Sequence, residues 1–318
     1  MAHSNRKTLE GKVAVVAGAT RGAGRGIACA LGEAGAIVYC TGRSVRGKPA
    51  TGNRPETIEE TAEMVTAYGG QGIAVRTDHT QEGEVASLFD RVAAEQKGQL
   101  DVVVNDIWGG EEFTEFGPPF WELALDKGFK MFERAVHTHI ITSHYAAPLM
   151  IKRQKGLIVE VTDGNNFGYR GNLFFDLAKT SVIRLAYAMA TELRKYNVSA
   201  IAVTPGFLRS ESMLGGFGVT EANWQKAVES DPHFIASETP LYVGRGIAAL
   251  ASDENLSKKS GRVFGSWELS REYNFVDADG RRPDWDAYMK EVSFPNYERL
   301  KKCDDVFYSY WVGLFDDI

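Results

Sequence analysis

The stretch VAVVAGATRGAGRGI, residues 13–27, decides the fold. Its first five residues are apolar and mostly β-branched, which predicts a strand buried on both faces. Gly18, Gly22 and Gly24 then favour a tight turn, and the spacing of Ile27 and Leu31 predicts a helix that ends before Gly35. Backbone N–H groups at the start of such a helix can approach an anion closely. The stretch therefore predicts a strand–turn–helix unit with an anion site at the turn.

The same alternation continues to about residue 265. We predict strands at Val13–Ala17, Ile37–Thr41, Ile73–Arg76, Asp101–Val104, Leu157–Val161, Val198–Val203 and Arg262–Phe264. Helices are predicted between them, with the longer ones at Glu56–Tyr68, Glu84–Gln96, Phe132–Arg153, Asp176–Tyr196 and Arg245–Ser252. This order predicts a Rossmann-type, three-layer αβα sandwich around a parallel seven-stranded sheet, with ligands beyond the carboxyl ends of the strands.

The length of 318 residues exceeds what this sheet requires. We interpret residues 1–318 as a single domain with a core of about 9–265. The surplus falls in insertions at 44–55, 107–128 and 210–240 and in a C-terminal extension at 268–318.

Composition excludes several classes of protein. The formal charge of −6 argues against a nucleic-acid partner, which requires a basic surface. No apolar run approaches the ~18 residues of a membrane-spanning helix, so we expect no membrane partner. Cys29, Cys40 and Cys303 are too few and too scattered for a disulfide framework or a zinc site. With a polar N-terminus that is unlike a signal peptide, they favour a cytoplasmic protein.

The glycine spacing Gly18-x-x-x-Gly22-x-Gly24 resembles that of the short-chain dehydrogenase/reductase family. Other motifs of that family follow in order, and the match covers about Leu9 to Gly265. They are Asp78-His79-Thr80, Asn105-Asp106-Ile107-Trp108, Lys179 and Pro205-Gly206-Phe207-Leu208-Arg209-Ser210. Residues 269–281 resemble the C-terminus of the branch of that family called dehydrogenase/reductase member 1.

The resemblance implies a nicotinamide cofactor. The residues implied to bind it are Gly18, Thr20, Arg21, Gly22, Gly24, Arg43, Asp78, His79, Asn105, Lys179, Pro205, Gly206, Leu208 and Ser210. An acidic residue at the end of the second strand would bind the ribose 2′-hydroxyl and favour NAD. Residues 40–44, CTGRS, contain no acid, and Arg43 and Arg21 suit a 2′-phosphate. We therefore predict NADP(H) as the cofactor.

The resemblance also implies a carbonyl–alcohol oxidoreductase with four catalytic positions. These carry a tyrosine as proton donor, a lysine four residues later, a serine that binds the substrate oxygen and an asparagine that holds a water. Lys179 matches the lysine. The tyrosine position carries Phe175, the serine position Asp163 and the asparagine position Ala135. Asp163, Phe175 and Lys179 are therefore the predicted catalytic positions.

Phenylalanine has no proton to donate, which leaves three explanations open. The active protein carries tyrosine, and this chain has a Tyr→Phe substitution at residue 175. Alternatively, Asp163 or a water transfers the proton, since loss of a general acid costs a factor of ~10²–10⁴ without abolishing the reaction. In the third explanation the protein is catalytically degenerate and acts as an NADP-binding regulatory or scaffolding protein.

Asp163 itself has several possible roles. As a neutral acid it would donate a hydrogen bond to the substrate oxygen. As a carboxylate it would pair with Lys179 or with a cationic substrate, as in an imine or amine reductase. The remaining interpretation is an exposed aspartate that caps the turn at residues 163–166.

Aromatic residues crowd the segment that follows the fourth strand. They are Trp108, Phe113, Phe116, Phe120, Trp121, Phe129 and Phe132. Either they pack the insertion, or they favour an apolar or aromatic carbonyl compound or alcohol as substrate. Trp108, Tyr169 and Phe207 are the predicted substrate contacts, and the glycine-rich residues 215–218 predict a hinge for a lid.

Two further expectations concern metal binding and assembly. His137, His139 and His144 lie on one predicted helix without an acidic partner at ligand spacing, so we expect no metal site. The family resemblance implies a homodimer or a homotetramer.

Overall fold

A parallel sheet of seven strands runs through residues 7–48, 54–292 and 300–305, which the computed structural model describes. The strands are β1 Val13–Ala17, β2 Ile37–Gly42, β3 Gln71–Arg76, β4 Val102–Asn105, β5 Gly156–Val161, β6 Val198–Thr204 and β7 Val263–Gly265. Their order is β3-β2-β1-β4-β5-β6-β7, so the direction of winding reverses between β1 and β4. The predicted Rossmann-type sheet is confirmed, and its switch point lies beside the glycine-rich turn.

Helices cover both faces of the sheet. They are α1 Gly22–Glu33, α2 Ile58–Ala67, α3 Glu82–Glu95, α4 Leu125–Phe132, α5 Thr138–Arg153, α6 Leu173–Leu193, α7 Glu211–Gly216, α8 Pro240–Ala251, α9 Ser266–Tyr273 and α10 Trp285–Glu291. Each strand and long helix predicted from the sequence is present, with changes at its ends.

Alternating strand residues supply two separate cores. Ala14 and Val16 of β1 belong to the core that packs against α1, α2 and α8. Val13 and Val15 belong to the core that packs against α3, α5 and α6. Because successive side chains point to opposite faces of a strand, a continuous apolar run is required here.

The largest boundary error concerns the helix predicted to begin at Phe132. It begins instead with α4 at Leu125, and a π turn at Glu133–His137 joins α4 to α5. Gly128, the last residue of the predicted insertion, lets α4 approach α6, because a Cβ there would lie 2.4 Å from the Phe174 ring.

The C-terminal extension adds α10 beyond the last strand. Helix α9 begins at Ser266, just before the predicted start of the extension at residue 268. Tyr242 of α8 donates a hydrogen bond to the Pro283 carbonyl at 3.1 Å, which anchors the chain immediately before α10. Residues 293–299 and 306–318 of the predicted extension, and 49–53 of the first predicted insertion, lie outside the described residues. From the one continuous sheet we infer a single domain.

Candidate active site

A cavity of about 690 Å³ lies at the carboxyl ends of the strands. Most of the residues predicted to form the site line it. They are Gly18, Thr20, Arg21, Gly22, Arg43, Asp78, His79, Trp108, Asp163, Phe175, Lys179, Pro205, Gly206, Phe207, Leu208 and Ser210. The glycine-rich turn, the predicted catalytic positions and the Pro205–Ser210 segment therefore share one cavity.

Three predicted site residues do not line the cavity. Gly24 supports it from behind, because a Cβ there would lie 2.3 Å from the Gly18 carbonyl oxygen. Asn105 is fully buried, and its amide donates to the Glu160 carboxylate at 2.7 Å. Tyr169 is 67% exposed on the surface. Tyr169 therefore does not contribute to the cavity lining, contrary to the prediction that it contacts the substrate.

Among the aromatic residues of the 107–132 region, Trp108 lines the cavity. Phe116, Phe120, Trp121 and Phe129 are each more than half exposed. Apart from Trp108, the aromatic residues of this segment therefore pack against neighbouring residues or lie on the surface and do not line the cavity.

The glycine-rich turn and the first residues of α1 line the cavity. Gly18 has a φ of +90°, and a Cβ there would lie 2.3 Å from the Asp106 carbonyl oxygen. The turn is tied to β2, because the Gly18 and Ala19 N–H groups donate to the Thr41 carbonyl at 3.1 and 2.9 Å. Helix α1 has no acidic residue in its first turn and no side-chain cap from Arg21. Its N-terminus is therefore a positive, cavity-facing end of a helix.

Cationic groups lie on the β2 side of this turn. Nε of Arg21 lies 3.2 Å from the Glu56 carboxylate, and its Nη2 is buried without a hydrogen-bond partner among the described residues. Burial raises the pKa of Asp78, but hydrogen bonds from Thr80 and the charge of Arg43 hold this pKa below its ordinary value. Asp78 is therefore a carboxylate acceptor with the positive charge of Arg43 next to it, while Arg21 lies beside Glu56.

Lys179 is the centre of the predicted catalytic group. Its ammonium lies 4.0 Å from the centre of the Trp108 ring and 5.6 Å from that of the Phe175 ring. Burial lowers the pKa of Lys179, and the charges of Asp163 and Asp106 oppose that shift. The ammonium is therefore held by aromatic faces and nearby carboxylates.

The Phe175 side chain is fixed by aromatic packing. Its ring makes T-shaped contacts with Trp108 at 5.4 Å and with Phe116 at 5.7 Å between ring centres. Asn172 caps the helix below it by accepting the Phe175 N–H at 3.0 Å. The first turn of α6 therefore presents an apolar ring to the cavity beside the lysine.

Asp163 follows β5 and is exposed while it lines the cavity. Arg170 fixes the backbone of this loop, because its Nε donates to the Asp163 carbonyl at 2.5 Å and its Nη1 pairs with Asp176 at 2.8 Å. Thr162 ties the loop to α6 by donating to the Lys179 carbonyl at 2.7 Å. The carboxylate of Asp163 is close enough to Lys179 for its negative charge to raise the pKa of the lysine.

Buried titratable groups beneath the cavity were missed by the sequence reasoning. Burial raises the pKa of Asp106 to about 7, and this residue lines the cavity. His139 does have an acidic partner, contrary to expectation, since its Nδ1 lies 2.5 Å from the Glu160 carboxylate of β5. Spacing within a helix cannot reveal a partner that the sheet supplies. Among the residues that the structure describes, no group of three or more potential ligands is arranged around a metal site.

Part of the cavity wall is formed by residues that the motifs did not predict. They are His233, Trp267, Trp285 and Met289. The Trp285 ring makes a T-shaped contact with Phe207 at 5.9 Å. The indole Nε1 of Trp267 is buried without a hydrogen-bond partner in the described part of the chain. The C-terminal extension is therefore part of the cavity wall.

Comparison with known proteins decides the family. The family model for short chain dehydrogenases matches residues 12–215. The chain belongs to the short-chain dehydrogenase family. Dehydrogenase/reductase SDR family member 1 of Mus musculus is 36% identical over 277 residues, which cover 86% of this chain and 85% of that protein. The Homo sapiens protein of the same name is 34% identical over 276 residues, with 86% and 85% covered.

A solved short-chain dehydrogenase structure shares the fold. It is a 7α-hydroxysteroid dehydrogenase in complex with NADH and 7-oxo glycochenodeoxycholic acid. It is 23% identical to this chain, with a TM-score of 0.66 over 89% of this chain and 99% of that one. The expected family and its dehydrogenase/reductase member 1 branch are thus confirmed by the relatives, and the fold by the structural match. No helix in the described ranges has the length and apolar character needed to span a membrane.

Proposed function

We propose that the chain is an NADP(H)-dependent short-chain oxidoreductase that interconverts a carbonyl compound and an alcohol by hydride transfer. One observation carries the proposal: the glycine-rich turn, the Arg21–Arg43 pair and Lys179 line the same cavity. Family membership supports the same reaction class.

The residues present fit a phosphorylated dinucleotide. Gly22 leaves room at a helix N-terminus, where a pyrophosphate is favoured, because a Cβ there would meet only the Ser210 side chain at 3.8 Å. The buried Nη2 of Arg21 has no hydrogen-bond partner among the described residues, and a 2′-phosphate would provide one. Asp78 is an acceptor suited to the amino group of an adenine, and Pro205–Ser210 would hold the nicotinamide end.

When bound, the reduced cofactor supplies the hydride. The chain's own residues must then orient the substrate and manage one proton. Lys179 places a positive charge near the developing alkoxide, which stabilises it. Phe175 supplies no proton, and a charged Asp163 would repel the alkoxide, with a strength that its exposure to water reduces. We therefore infer slow carbonyl reduction by this chain.

The test is Phe175→Tyr, assayed by NADPH oxidation with a panel of apolar and aromatic ketones. We expect the rate to rise by a factor of about 10²–10⁴, because a general acid is restored beside Lys179. Phe116→Tyr is the matched control, since Phe116 contacts Phe175 but is 62% exposed and outside the cavity lining. It should leave the rate unchanged.

The alternative function is an NADP-binding protein without turnover. Its supporting observation is that the tyrosine, serine and asparagine positions carry Phe175, Asp163 and Ala135. NADPH binding measured by fluorescence, together with no turnover in Phe175→Tyr across the panel, would favour it. Absence of NADPH and NADH binding contradicts both functions.

Further proposals concern the setting of the reaction. Trp108 and Phe207 support an apolar or aromatic substrate, since both line the cavity. The buried free thiols of Cys29, Cys40 and Cys303 support a reducing, cytoplasmic compartment. We propose a homodimer or homotetramer on the basis of the family, and light scattering of the purified chain tests this.

A further inference from the structure

A carboxylate from a distant part of the chain reaches the start of α1. Oε2 of Glu211, the first residue of α7, accepts the backbone N–H of Gly22 at 2.7 Å. Its Oε1 lies 3.7 Å from the guanidinium of Arg25 on the same helix. Glu211 therefore contacts a backbone donor of the glycine-rich turn although 189 positions of sequence separate the two residues.

The contact has a clear physical cause. The first N–H groups of a helix lack intrahelical acceptors, and the helix dipole adds positive charge at this end. Helix α1 has neither an acidic residue in its first turn nor a side-chain cap from Arg21. Glu211 thus supplies the negative charge that α1 does not provide for itself.

A cofactor phosphate would require the same donor. This step rests on the proposed function, which assigns the pyrophosphate to the start of α1. We propose that Glu211 is a built-in competitor of the cofactor phosphate, displaced from the Gly22 N–H when a dinucleotide binds. A carboxylate and a phosphate cannot both bind this donor, because like charges a few ångströms apart in a partly buried site repel each other strongly.

Displacement of Glu211 would also move the segment that covers the cavity. Ser210, which caps α7, and Met213 of α7 line the cavity. The helix ends in Gly215 and Gly216, and Gly218 follows with a φ of +65°. Release of its first residue therefore lets α7 change position, so that cofactor binding is coupled to opening of the substrate side of the cavity.

The test compares Glu211→Gln with the unmodified chain. Glutamine keeps an acceptor oxygen and removes the charge, so it competes less well with a phosphate. We expect the Kd of NADPH, measured by fluorescence titration, and that of inorganic pyrophosphate, measured by calorimetry, to fall about tenfold. Glu60→Gln is the matched control, because Glu60 pairs with Arg25 at 2.6 Å without reaching Gly22. Its effect should stay below about threefold.

A second measurement follows α7 directly. Hydrogen exchange of residues 211–216 without cofactor should be faster in Glu211→Gln than in the unmodified chain, and NADPH should reduce that difference. Equal Kd values for both ligands, or weaker binding by the variant, overturn the inference while leaving the proposed function intact. If no nicotinamide nucleotide binds, the proposed function fails, and pyrophosphate binding still decides the role of Glu211.

Discussion

Replacement of Glu238 by glutamine should remove a large part of the pH dependence of stability. Glu238 is 1% exposed, and its Oε2 accepts the Gly206 N–H at 3.0 Å and the Ser266 hydroxyl at 2.5 Å. Burial raises the pKa of Glu238 from 4.5 to about 8. Oε1 has no partner among the described residues, so it is available to carry the proton. At neutral pH the folded chain therefore holds a protonated glutamic acid under the Pro205–Ser210 segment.

The sign and size of the effect follow from proton linkage. Between pH 4.5 and 8 the unfolded chain has released this proton and the folded chain retains it. The free energy of unfolding contributed by Glu238 therefore falls as pH rises, by about 1.4 kcal/mol per pH unit. From pH 5 to pH 7 the loss is about 2.7 kcal/mol. Glutamine is neutral throughout this pH range and keeps the acceptor oxygen. The free energy of unfolding of Glu238→Gln should therefore lack this dependence on pH.

Urea unfolding at pH 5, 6 and 7, followed by circular dichroism, measures the effect. The stability of Glu238→Gln relative to the unmodified chain should rise by about 2.7 kcal/mol across this range. Glu229→Gln, at an exposed position, is the control for loss of one carboxylate. A difference that stays constant from pH 5 to pH 7 would refute the reasoning, because both chains would then bind the same number of protons on folding.

Two further predictions concern the cofactor and the packing. Arg43→Ala should weaken NADPH binding about 10- to 100-fold and NADH binding less than about threefold, measured by fluorescence, because the 2′-phosphate loses a charged partner. Arg46→Ala is the control, since Arg46 is 60% exposed and paired with Glu63. Gly26→Ala should lower the free energy of unfolding by about 1–3 kcal/mol, because its Cβ would lie 2.2 Å from the Pro240 carbonyl oxygen. Gly83→Ala, with no atom within 4 Å of the new Cβ, should not destabilise the chain in the same urea titration.

Most of the fold could be predicted because it depends on local patterns. The apolar run of β1 is buried on both faces. Gly18 and Gly22 after it have positive φ angles, which glycine adopts readily, and their spacing is visible in the sequence. The start of α4 could not be predicted in this way. Gly128 is unfavourable in an isolated helix, but tertiary contact with Phe174 requires the absence of a side chain there. Local propensity is overridden where two helices approach closely.

The cavity was predictable only in part, and for a related reason. Residues near the glycine-rich turn and Lys179 lie in motifs of fixed spacing, so their place in the fold follows from the sequence. Trp285 reaches the cavity, and Glu211 reaches the start of α1, through the path of the chain after β6, which no spacing encodes. The contact between His139 and Glu160 could not be predicted for the same reason, since a helix supplies one partner and a strand supplies the other.

The environment of Lys179 indicates how the site remains stable without a tyrosine. Burying an ammonium costs several kcal/mol unless other groups compensate. Here the Trp108 face lies 4.0 Å from the ammonium, and such cation–π contacts contribute about 2 kcal/mol when desolvated. The charges of Asp163 and Asp106 add further compensation. Aromatic faces and carboxylates therefore hold the lysine in the cavity without a phenol at position 175. If the proposed function holds, Lys179 binds a ribose and stabilises an alkoxide while position 175 donates no proton, so we expect cofactor binding and turnover to be separable in this chain.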